Sequence, residues 1–71
     1  MILRKGTKVA WDWAGHTASG KITQIFTRDV ERTIKGSTIT RKASASDPAY
    51  LIEQTDGDQV LKGRSELRRT D

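Results

Sequence analysis

The chain has 71 residues, 34% of them hydrophobic and 31% charged, and its thirteen Lys and Arg outnumber nine Asp and Glu for a net charge of +4. That length supports a single domain, residues 1–71, with one small core and no second lobe to close over a substrate, which argues against a cleft enzyme. Cys is absent, so disulfides, thiolate metal sites and thiol nucleophiles are excluded together, and stability must come from packing.

Helical periodicity is hard to find, whereas β-branched residues and period-two alternation recur between Gly, Asp and Pro breaks, the pattern of an all-β domain. The first expected strand, residues 7–13, contains "KVAWDW". Successive side chains of a strand point to opposite faces, so Val9, Trp11 and Trp13 share one face. Val9 is expected in the core, Trp11 capping it, and Trp13 toward the rim beside the turn "AGHT". A second strand is expected to begin near Ala18, with Gly20 allowing close backbone approach at a bend. Ile22 and Ile25 then break strict alternation, which predicts a bulge at Thr23 or Gln24.

Residues 28–42, "RDVERTIKGSTITRK", read as an extended hairpin arm. A two-residue turn at Gly36-Ser37 would place Ile34 opposite Ile39, Glu31 opposite Lys42 and Arg32 opposite Arg41. The arm carries five cations, Arg28, Arg32, Lys35, Arg41 and Lys42, against Asp29 and Glu31, a surplus of three out of the chain's +4. "ASASDP" reads as a loop, followed by the strand "AYLIEQ", the turn "TDGD" and the short strand "QVLK". Because Leu51, Ile52, Val60 and Leu61 are all apolar, this hairpin is expected to be covered on both faces, by the core on one and by the base of the arm on the other. In the tail "GRSELRRTD" a single turn is expected to tuck Leu67 under the barrel.

The order of "KGTKVAWDWAGHTASGKI", "RTIKGSTITR" and "DPAYLIEQTDGDQVLKGRSEL" over residues 5–67 resembles the small Tudor-like domain family named after hypervirulence-associated proteins. The resemblance implies an SH3-like (Tudor-like) barrel of about five strands and a binding role, with no assigned catalytic residue, cofactor or ligand. Tudor-like readers hold cations in a cage of aromatic rings. The rings available here are Trp11, Trp13, Phe26 and Tyr50, with Trp11, Trp13 and Tyr50 forming the candidate aromatic rim. Tyr50 is expected roughly 13 to 20 Å from Trp13, at about 3.3 Å per residue along the strand. Gln54 and Asp56 are the expected neighbours of Trp13, so three rings do not converge.

Catalysis is the weakest reading. His16 is the only His and lacks positioned partners for acid-base or nucleophilic chemistry. Asp56 and Asp58 flank a turn glycine and lack the further oxygens of a calcium loop. The expectation is therefore a non-catalytic binding or adaptor module without cofactor or metal, engaging a protein or peptide. The alternative is a single-stranded nucleic acid gripped by the basic arm and stacked on the Trp rim. No stretch approaches the run of about 18 apolar residues that spans a membrane, and "MILRKGTK" lacks a secretory apolar region. A cytoplasmic location is expected; the sequence does not fix the oligomeric state, a monomer being favoured.

Overall fold

The computed structural model describes residues 3–70. Alternation becomes seven strands: β1 (Lys8–Trp13), β2 (His16–Phe26), β3 (Val30–Ile34), β4 (Ser37–Arg41), β5 (Ala49–Gln54), β6 (Gln59–Gly63) and β7 (Arg68–Arg69). A short 3₁₀ turn, Arg64–Glu66, separates the last two. Five strands form one antiparallel sheet in the order β6-β5-β2-β1-β7, and β3 pairs with β4 as a separate hairpin. The architecture is the expected small, all-β, SH3-like one, with β6 and β7 as the edges of a sheet that is not closed. No described helix is long and apolar enough to cross a membrane.

β2 organises the sheet. Its first half pairs with β1 and its second half with β5, so the strand must bend to serve both neighbours. Two residues allow this. At Gly20 the Glu53 carbonyl oxygen lies only 2.6 Å from where a Cβ would sit. At Thr23 the β2–β5 register slips between Ile22 and Gln24, making the predicted bulge. The Thr23 hydroxyl donates to the Leu51 carbonyl, 3.1 Å away.

β5 carries packing on both faces. On one side Tyr50 and Ile52 join Leu3, Val9, Trp11, Ile22 and Leu67 in the main core. On the other, Ala49 and Leu51 meet Leu61 and are covered by Val30, Ile34 and Ile39 of the β3–β4 hairpin together with Phe26 and Ala43. Each aliphatic side chain fully withdrawn from water contributes about 1.5–3 kcal/mol. A second apolar layer is thus a substantial addition for a chain without cross-links. Leu67, brought in by the 3₁₀ turn, is buried as expected.

The turns differ from expectation in two places. β1 and β2 are joined by Ala14-Gly15 alone, with φ of +48° and +79°, and His16 and Thr17 already belong to β2. β3 and β4 turn at Lys35-Gly36, with φ of +52° and +78°, one residue earlier than predicted. Two positive φ values make a type I′ turn, whose twist matches that of the flanking strands. The pairing is therefore Ile34 with Ser37, Arg32 with Ile39, Glu31 with Thr40 and Val30 with Arg41. The expected facing of Arg32 and Arg41 does not occur. The hairpin lies along the sheet, and its side chains reach partners there.

Candidate functional site

Three hairpin ends meet at one end of the molecule. β1 finishes on Trp13, the β3–β4 turn presents Lys35, and the β5–β6 turn leads from Gln54 to Asp58. This last turn is built locally: Gly57 takes φ +89°, Asp56 Oδ1 accepts the Asp58 amide at 2.9 Å, and the Gln54 amide donates to the Asp58 carbonyl at 2.7 Å. Lys35 Nζ donates to Asp58 Oδ2 at 2.6 Å and joins two of the three ends. That hydrogen bond, then the charge of Asp58 and more weakly that of Asp56, holds the Lys35 ammonium above its ordinary pKa.

Between them is a groove of about 360 Å³, lined by Trp13, Lys35, Gln54, Asp58, Val60 and Lys62 among others. Trp13 is 59% exposed and, with Ile25, is one of two large apolar residues exposed among the described residues. Val60 and Lys62 alternate with buried Leu61, so they turn away from the hairpin and toward this groove. Lys62 also lies 3.8 Å from Glu66.

The candidate aromatic rim resolves into one ring. Trp11 and Tyr50 are only 2% and 3% exposed and belong to the main core, because a core this small needs its largest side chains inside. Burial pushes the Tyr50 phenol above its ordinary pKa. Trp13 lies past the edge of that core, and its expected neighbour Gln54 is beside it. Asp58, not Asp56, is the carboxylate lining the groove. Sequence reasoning missed Val60 and Lys62, whose alternation with Leu61 was the available signal.

The five arm cations divide. The Arg32 guanidinium donates to Gln24 Oε1 at 2.9 Å and lies 5.0 Å from the centroid of the Phe26 ring. Lys35 is on Asp58, and Arg41 pairs with Glu66. Arg28 and Lys42 are exposed at the hairpin base. Three of the five thus fasten the hairpin to the sheet instead of forming a phosphate-gripping row.

A second groove, of about 430 Å³, is lined by Lys8, Ser19, Lys21, Glu53, Thr55 and Thr70 among others. Lys21 stands between Lys8 in β1 and Glu53 in β5, so Glu53 offsets the facing lysines. It is a polar shelf without an exposed ring. At the far edge Arg68 holds Asp12 at 3.1 Å. Its hydrogen bond, with that of Thr17, keeps the Asp12 carboxyl below the usual range. His16 is exposed beside Trp13. No group of three or more His, Cys, Asp or Glu among the described residues is placed to hold a metal ion.

Comparison with known families matches residues 6–67 to the family described as hypervirulence associated proteins TUDOR domain. No curated protein and no solved structure matches the chain.

Proposed function

The chain belongs to the hypervirulence-associated TUDOR domain family, and on that premise we propose that it is a non-catalytic module that binds a protein or peptide at the Trp13 groove. The observation that carries this is the 59% exposure of Trp13 at the meeting point of three hairpins. A large ring left in water beside half-buried Val60 and the amides of Gln54 and Gln59 has the composition of an interface centre, where Trp is over-represented and dominates affinity. The charge distribution supports a polypeptide over a nucleic acid: Arg32 and Arg41 already have partners on the protein.

The test is selection of peptides from a displayed random library, followed by affinity measurement on the wild type and on Trp13→Ala. That substitution removes an exposed ring and leaves the core intact. Selected peptides should lose about tenfold or more in affinity and should shift the Trp13 indole signal in amide NMR spectra. Peptides that bind Trp13→Ala equally well would overturn the assignment. So would a single-stranded oligonucleotide that shifts the same signals strongly at about 50 mM salt and weakly at about 200 mM.

A further inference from the structure

Lys35 sits at the hairpin tip with its ammonium on Asp58. The contact is open to water on both sides: the Lys35 side chain is 66% exposed and that of Asp58 38%. Exposed ion pairs are weak and exchangeable, because solvent screens them and both side chains give up rotamer freedom to meet. The groove thus has a carboxylate at one end that already accepts a primary ammonium. Its walls, Trp13 and Val60, suit the aliphatic stem that carries such a group.

We propose that the groove accepts a lysine side chain from an extended partner peptide, and that Lys35 is its built-in competitor on Asp58. The inference rests on Trp13 marking the contact surface. The partner's ammonium replaces that of Lys35 on the carboxylate while its stem lies against Trp13 and Val60. Charge complementarity selects a cation. Lys35 and Lys62 line the groove with the single carboxylate Asp58, and the charge of Asp56 also reaches Lys35; once Lys35 leaves, Lys62 remains, 3.8 Å from Glu66, which it shares with Arg41. Asp58 is then a carboxylate without its cation, two residues from Asp56, and on this group the partner's ammonium replaces that of Lys35. Recognition is by hydrogen-bonded ion pairing, because an ammonium offers three N–H donors and a single ring encloses nothing. A trimethylated lysine, with no donor left, binds less well.

The experiment is a titration of the full chain at low salt, following the Trp13 indole and Asp58 amide signals. Three probes are compared: acetyl-Gly-Ala-Lys-Ala-Gly amide, its norleucine analogue and its trimethyllysine analogue. The lysine peptide should shift both signals and the other two should bind more weakly. Lys35→Asn removes the competitor while keeping a residue that tolerates positive φ. It should tighten binding of the lysine peptide about two- to five-fold, the range set by a weak exposed pair, and Asp58→Asn should abolish it. Equal or tighter binding of the norleucine or trimethyllysine peptide overturns the proposal, as does an unchanged affinity in Lys35→Asn. In those cases shifts still centred on Trp13 leave the contact surface standing. If the lysine peptide gives no shift while library peptides remain Trp13-dependent, lysine exchange fails and the surface does not.

Discussion

Gly20→Ala tests the strand that holds the sheet together. Gly20 lies where β2 is paired on both sides, opposite Val9 in β1 and Gln54 in β5. An added β carbon would sit 2.6 Å from the Glu53 carbonyl oxygen and 2.7 Å from Ile52 Cγ2. Neither neighbour gives easily: the carbonyl belongs to the backbone of the paired strand, and Ile52 is fully buried. Either β2 and β5 separate, or Ile52 leaves its rotamer. Overpacking of this kind costs about 1–3 kcal/mol. Replacing Gly by Ala returns about 0.5–1 kcal/mol of backbone entropy, which leaves a net loss of about 1.3 kcal/mol at the middle of those ranges. A chain of this size has a total stability of about 4–10 kcal/mol. The loss should lower Tm by about 5–10 °C. Thermal and urea unfolding followed by circular dichroism would measure it, with an unchanged urea slope showing that the unfolded reference is the same. A Tm within about 2 °C of the wild type would refute the argument that glycine is needed here for close approach.

Leu61→Ala should cost about 2–3 kcal/mol and loosen the hairpin selectively, because Leu61 is buried between β5 and residues 30–39; hairpin amides that exchange with solvent no faster than in the wild type would count against this. Tyr50 gives a pH dependence. Its folded pKa is raised above 10.0, chiefly by burial, so the associated stability is fully present below pH 10.0 and is lost as pH rises through the folded value. Phenolate absorbance should appear with a midpoint above 10.0, together with loss of the buried Trp11 emission. A midpoint at or below 10.0 with Trp11 still buried would contradict it.

The features legible in the sequence are those fixed by local chain chemistry. The period-two face of Val9, Trp11 and Trp13, the close approach at Gly20, the bulge next to Ile22 and the burial of Leu67 each follow from a few neighbouring residues, and the structure contains all four. The register of β3 against β4 was harder. Both Gly36-Ser37 and Lys35-Gly36 frame a two-residue turn around the same glycine, and a lysine at positive φ is an unusual choice. The pairs Lys35–Asp58 and Arg41–Glu66, which link the hairpin to the rest of the molecule, join residues more than twenty positions apart and leave no periodic trace. β7 is similarly hidden, since two residues cannot establish an alternation.

The same packing explains why one end of the molecule keeps a large ring in water. β5 gives Tyr50 and Ile52 to one core and Ala49 and Leu51 to the other, so neither face of that strand is available. Where the hairpin does not reach, β1 and β2 carry opposed charges and hydroxyls: Asp12 between Arg68 and Thr17, and Lys21 between Lys8 and Glu53. That surface is polar and balanced. Trp13 is different. It shares the inward face of β1 with Val9 and Trp11 but extends beyond the residues that cover them, next to a two-residue turn that adds no side chain large enough to shield it. A ring in that position contributes little to the folded core, and its 59% exposure leaves apolar surface that a partner can withdraw from water at about 25 cal/mol per Å². Ile25 is the other large apolar side chain exposed among the described residues, at 36%; Trp13 differs in lining a groove that also holds the Asp58 carboxylate and its partner Lys35.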